Sequence, residues 1–248
     1  MNRKHFEPPF AKSSLPVWRC PSCGDGAVSM VEGTLVSKET ASSVASKGHD
    51  DWEPDWERES ISARLECQNK NCKEPFFLVG TTQPVEEYHD EFGWGITNAI
   101  VPLHIHPSPL LFHVSENCLP EIKAEIEHAS SLYWSSPSSS GNRLRVAVEL
   151  LMDHLNIPST QTAANGKIEV LALHKRIVLF KNGNPELGDL LLAVKWLGNY
   201  GSHGSELTQK DVLDAVELLA HVLEEVFEQK SSKLKQMAAK INTAKGPA

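Results

Sequence analysis

The stretches WRCPSCGDG (Trp18–Gly26) and LECQNKNCKEPF (Leu65–Phe76) each place two cysteines on a short turn. Thiolates two residues apart on a tight knuckle can face one cation, and two such knuckles supply the tetrahedral sulfur set that zinc prefers. Pro21 stiffens the first turn, and Gly24 permits the positive φ that aims backbone amides at the sulfurs. In the second, four residues separate Cys67 from Cys72, still an ordinary ligand spacing, and the intervening Asn and Lys residues suit a turn. The pattern predicts a zinc ribbon in which Cys20, Cys23, Cys67 and Cys72 hold one structural Zn2+. Two disulfides would use the same residues, but no export signal accompanies them, and reduced thiols at this spacing serve as ligands. Cys118 stands apart at a helix start and reads as a small packed apolar residue.

The sequence around the knuckles predicts short antiparallel strands. VSMVEGTLVS and SISARLEC have strand patterning, and PFFLVG leads out of the second knuckle. IVPLHIHPSPLLF reads as an edge strand closed by prolines, with Val101, Leu103 and Ile105 on one face and His104 and His106 on the solvent side. The segment from about 41 to 60 carries six acids between Asp50 and Glu59 and reads as a polar inserted loop, with Trp52 and Trp56 as a candidate docking element.

From about residue 117 the apolar period becomes helical. One stripe holds Ile122, Ile126, Ala129 and Tyr133; another holds Leu144, Val148, Leu151 and Leu155, with Arg145 and Glu149 as an i,i+4 pair. SSPSSSGN and IPSTQTAANG read as loops. IEVLALHKRIVLF and PELGDLLLAVKWLG read as helices, the second with Pro185 in its first turn. Thr208 and Asp211 form a capping box opening a helix in which Val212, Val216, Leu219 and Val226 line one face. The expected class is α+β. Residues 1–116 form the zinc ribbon and short β region, residues 117–230 an antiparallel helical bundle, and residues 231–248 a lysine-rich tail, helical in its first turns.

Net charge is −8. Residues 1–116 carry 17 acids against 10 Lys and Arg, and residues 117–248 carry 15 against 14, which excludes a uniformly basic nucleic-acid coat. No apolar run reaches the roughly 20 residues needed to span a bilayer, and the N-terminus MNRKHFEPPFAK is too polar for a secretory signal, which predicts a cytoplasmic protein.

The junction KWLGNYGSHGSELT sets Lys195, Asn199 and His203 at four-residue intervals among glycines that argue against continuous helix and suggest a close helix-to-helix approach or a bent turn. On these residues alone, Asn199 and His203 can cap a turn or form a site at a bundle end.

The zinc knuckle, the short β region and the helical stretches GNRLRVAVELL, LHKRIVLF and LLAVKWLGNYGSHG together resemble the family known as domain of unknown function 4145. The likeness covers most of the chain and is strongest from about residue 118 to 228. That family is grouped with the HEPN superfamily (higher eukaryotes and prokaryotes nucleotide-binding). The resemblance implies a HEPN-like helical bundle that pairs as a homodimer, and company with bacterial restriction, toxin or antiviral defence systems. Many HEPN proteins are metal-independent ribonucleases with an Arg, four to six residues, then a His. None of the seven arginines here has a histidine at that distance. His203 matches the motif histidine and Asn199 its polar partner, whereas the nearest upstream basic residue is Lys195. The implied function is an RNA- or nucleotide-binding or docking module, or alternatively a ribonuclease with a degenerate motif. In the ribonuclease, His203 would move the proton, Lys195 stabilise charge and Asn199 orient substrate.

Overall fold

The computed structural model describes residues 2–89, 93–200 and 206–246. The chain forms two compact units, one of residues 1–110 with 130–136, the other of residues 111–129 with 137–248. The first is built on an antiparallel sheet, the second on helices.

In the sheet, β1 (Trp18–Arg19), β2 (Ala27–Met30), β4 (Glu59–Cys67), β5 (Pro75–His89) and β6 (Gly93–His106) follow in that order, and β3 (Val36–Glu39) also pairs with β4. The single strand expected over VSMVEGTLVS is therefore two. A turn through Gly33, at φ +72°, divides them, and the Thr34 hydroxyl donates to the carbonyl of Val31 at 2.7 Å. This break lets β2 pair with Leu65–Cys67 and β3 with Glu59–Ser62, so one edge of β4 serves both.

Alternation along β4 buries Ile61, Ala63, Leu65 and Cys67; on β5, Phe76 and Leu78 face the same way. The expected face of Val101, Leu103 and Ile105 is not continuous. Val79 pairs with His104 but Gly80 with Pro102, so Leu103 bulges out and is exposed, while Ile100, Pro102 and Ile105 are buried. A Cβ on Gly80 would lie 2.4 Å from the Val101 carbonyl oxygen, which is why glycine stands opposite the bulge. β6 ends the sheet as expected, and Phe10 bridges it at Ile100.

The acidic insertion is more ordered than its composition suggests. Helix α1 (Ala41–Ser46) is capped by Thr40, whose hydroxyl accepts from the Ser43 amide at 3.2 Å, and a 3-10 turn covers Pro54–Trp56. Trp56 is exposed; Trp52 is half-buried.

Phe6, Phe10, Trp18, Tyr133 and Trp134 close the apolar side of this unit in mostly edge-to-face contacts. The Tyr133 hydroxyl donates to the Phe6 carbonyl at 2.6 Å, and burial pushes its phenol above the ordinary range.

In the helical unit, α2 (Pro120–Leu132) buries Ile122, Ile126 and Ala129. SSPSSSGN is not a loop: α3 (Pro137–His154) begins within it, and the Ser140 hydroxyl is satisfied by the Ala129 carbonyl at 2.7 Å. IEV is not helical either, because β7 (Thr160–Thr162) and β8 (Ile168–Val170) form a small exposed hairpin before α4 (Leu173–Lys181). The β-branched content of IEV prevails over the neighbouring helical pattern. α5 (Pro185–Tyr200) runs through Gly198, which does not interrupt it and instead serves the close helix approach, the other reading of these glycines. α6 (Gln209–Glu228) carries the expected capping box, and α7 (Lys230–Ala244) extends the tail as exposed helix well beyond its first turns.

At the α6 cap, the Thr208 hydroxyl donates to the Asp211 carboxylate at 2.6 Å and the Thr208 amide donates to it at 2.8 Å, and these hydrogen bonds hold the Asp211 carboxyl below its usual range. A depressed carboxylate stabilises above its unfolded pKa and loses that contribution as pH falls through the folded value. Thr208→Ala is expected to cost about 1 kcal/mol at neutral pH and less in acid, read by urea denaturation at both.

Candidate functional site

The four cysteines converge. Cys20 follows β1, and its amide donates to the Gly26 carbonyl at 2.7 Å while the Gly24 amide returns to the Cys20 carbonyl at 2.9 Å. Gly24 takes φ +73°, as its place in the knuckle requires. In the second knuckle the amides of Cys72 and Lys73 both donate to the Asn69 carbonyl, at 3.0 and 3.1 Å, and the Asn69 side-chain oxygen accepts from Asn71 at 3.0 Å.

The sulfurs of Cys20 and Cys72 lie 3.9 Å apart and those of Cys23 and Cys67 3.8 Å apart. All four fall within 4.8 Å of one another and could hold a metal ion. None of these spacings is a disulfide, which needs about 2.05 Å. The amides of Asp25 and Gly26 lower the Cys23 thiol to about 6, whereas burial pushes Cys67 up to about 12. Without a cation, only part of the set would be thiolate at neutral pH. Two members of the site have no thiol. Gly26 donates to the Cys23 sulfur at 3.3 Å, and a Cβ there would lie 2.1 Å from the Cys67 sulfur; the Asn69 amide reaches the Cys23 sulfur at 3.7 Å. The GDG of the first knuckle was the available signal for Gly26.

Among the described residues this is the only cluster of histidine, cysteine or carboxylate side chains tight enough to hold a metal. His104 and His106 lie exposed on β6 without such company, as their solvent-side reading expects.

The second candidate is at the end of α5. Lys195 and Asn199 sit one turn apart on this helix, while His203 lies outside the described residues. Lys195 is buried, its ammonium 3.3 Å from the centre of the Trp196 ring. Among the described residues no carboxylate pairs with it. Desolvation, then the charge of Arg145 on α3, lowers its pKa. Arg145 itself donates to Asn142 at 3.1 Å and to Glu149 at 2.5 Å, so the expected i,i+4 pair is present.

Two glycines let α3 and α5 approach here. A Cβ on Gly198 would lie 2.7 Å from Arg145 Cβ and 2.8 Å from the Gly141 carbonyl oxygen. Trp196 and Tyr200 are exposed beside them, and the His174 ring lies 5.7 Å from Trp196. The sequence placed Arg145 on a helix, but its position beside Lys195 depends on the glycine contact and was not readable from spacing.

No helix among the described residues is long and apolar enough to cross a membrane. No curated protein and no solved structure matches the chain. Two family models do, each over part of it. The cysteine-bearing residues 8–98 match a family described as Domain of unknown function (DUF8608), separate from the one to which the knuckle was expected to belong. Residues 127–244, from the end of α2 through α7, are similar to the family described as Domain of unknown function (DUF4145).

Proposed function

We propose that the protein is a zinc-stabilised binding module. Its N-terminal unit is a zinc ribbon, and its helical unit is a HEPN-like bundle that contacts RNA or a nucleotide through phosphate without cutting it. Zinc suits the four-thiolate site on two grounds. A tetrahedron with zinc–sulfur bonds of about 2.3 Å has sulfur–sulfur edges of about 3.8 Å, matching the Cys20–Cys72 and Cys23–Cys67 pairs. An all-thiolate donor set also favours zinc over the harder cations. Four sulfur ligands leave no open position for water, so the role is structural.

The phosphate reading is carried by one observation: Lys195 is a buried ammonium beside a second cation, and no carboxylate among the described residues neutralises it. An anion completes that arrangement. Arg145 is engaged by Asn142 and Glu149, which leaves Lys195 as the available charge. A lysine is a point charge without the bidentate fork of arginine, which supports binding over cleavage. The resemblance to HEPN domains adds a homodimer formed through the helical unit and docking on a bacterial defence or restriction complex.

Fluorescence anisotropy with labelled single-stranded RNA over a salt series tests the reading. Lys195→Ala is expected to weaken binding and to reduce the salt slope by about 0.7, the share of one phosphate contact. Unchanged affinity and slope would overturn the assignment of Lys195. Cleavage of the probe by wild type, lost in His203→Ala, would overturn the non-cutting part.

A further inference from the structure

The solvent face of the sheet has a composition that the rest of its unit does not. Register sets Arg64, Phe77 and His106 side by side across β4, β5 and β6, and Ser62, Val79 and His104 in the next row. Val36 and Lys38 continue the face on β3, opposite Ser62 and Ser60. Neighbours across strands at such positions have Cβ atoms about 5 Å apart, so the side chains form one surface.

Phe77 is 57% exposed, Val79 46%, and Leu103, which the bulge pushes outward, 45%. Phe76 and Leu78, which flank this open ring on the opposite face, are fully buried, so the ring itself contributes little to the fold. Between them, Ser60 and Ser62 keep the floor low.

The charge is equally selective. Residues 1–116 carry seven more acids than bases, from the 17 and 10 above, yet neither of these two rows contains a carboxylate, and Glu66, next along β4 opposite Pro75, is neutralised by Lys73 at 2.9 Å. Arg64, Lys38, His104 and His106 have no ion-pair partner among the described residues. An acidic unit that leaves one face acid-poor, cationic and aromatic presents a surface complementary to a polyanion with flat apolar groups.

We propose that this face, centred on Arg64, Phe77 and His106, is a binding platform for single-stranded nucleic acid. One unpaired base stacks on Phe77, its neighbours rest on Val79 and Leu103, and Arg64 and Lys38 meet the phosphates. A ring accepts any base face, so binding tolerates sequence and prefers single strands to duplex, whose bases are already stacked. The platform shares no residue with the α5 site. It rests on the nucleic-acid reading above only for its ligand class.

The test uses the full-length, zinc-loaded protein with fluorescein-labelled oligouridine and oligothymidine, and ultraviolet cross-linking followed by peptide mapping. Phe77→Ala is expected to weaken binding about tenfold with an unchanged melting temperature, Phe77→Trp to retain it, and Arg64→Gln to lower the salt slope. Cross-links are expected in peptides spanning Phe77 and His106. Cross-links confined to the helical unit would overturn the platform and leave the Lys195 site standing; cross-links confined to the sheet would do the reverse. Wild-type affinity in Phe77→Ala, or equal loss in Phe77→Ala and Phe77→Trp, would overturn it. So would conversion of a wild-type dimer to monomer by Phe77→Ala, since the face would then be a contact between copies.

Discussion

Replacing Cys20 by serine is expected to lower bound zinc from about one ion per chain to nearly none and to unfold the N-terminal sheet. The cause is the coupling of metal binding to folding. The knuckles are turns with few apolar contacts of their own, and they anchor β1, β2, the end of β4 and the start of β5. Structural zinc in small peptides binds with apparent free energies of about 10 kcal/mol or more, as large as the whole stability of an ordinary domain. Losing one ligand also leaves Cys67 in a buried setting where only a cation makes its thiolate favourable. Metal analysis and near-ultraviolet circular dichroism read both effects. Cys118→Ser, at a buried thiol apart from the site, should keep its zinc. Well under one zinc per reduced wild-type chain would overturn the ribbon, and retention of zinc by Cys20→Ser would remove Cys20 from the ligands. Because the metal competes with protons for all four sulfurs, zinc should also be released as pH falls.

Gly198→Ala is expected to destabilise the helical unit by about 2 kcal/mol, although alanine is the better helix former by about 1 kcal/mol. The close approach decides the sign. The new Cβ would meet Arg145 Cβ at 2.7 Å and a backbone oxygen of α3 at 2.8 Å, and backbone cannot swing aside as a side-chain end can. α3 and α5 must separate, which moves Arg145 from Lys195 and should weaken RNA binding with neither cation changed. The melting temperature should fall by about 5 °C. Gly183→Ala, where the added atom meets nothing within 4 Å, should leave both stability and binding unchanged. Equal behaviour of the two variants would show that the helices can part without cost.

The elements legible in the sequence were those fixed by local chemistry. The two knuckles, the Thr208–Asp211 box, Pro185 at a helix start and the stripes of α2, α3 and α6 all depend on neighbours within a few residues. Long-range contacts hid the rest. The alternation along β6 was sound on each side of Leu103 and wrong across it, because a bulge changes phase without leaving a composition signal. SSSGN looked like a linker because serine and glycine favour turns, yet Ser140 and Gly141 are the small residues that α3 needs where it meets its neighbours. Of the candidate sites, the sulfurs were readable from spacing alone. The neighbourhood of Lys195 was not, since Arg145 lies 50 positions earlier and arrives only through helix packing.

Tyr133 and Trp134 lie in the stretch of residues 130–136 that belongs with the sheet, although the chain on either side belongs with the helices. This has a practical consequence for anyone dissecting the molecule. A fragment ending near residue 116, where the pattern of the sequence changes, would omit both rings. It would leave Phe6, Phe10 and Trp18 facing water, and such a fragment would be expected to precipitate for reasons unrelated to its metal. The complementary fragment would carry an orphaned pair of aromatics. A cut in the backbone between residues 110 and 130 should instead leave the two pieces clasped, because the rings remain seated under the sheet. Limited proteolysis followed by gel filtration under native conditions would then show one particle where a denaturing gel shows two bands.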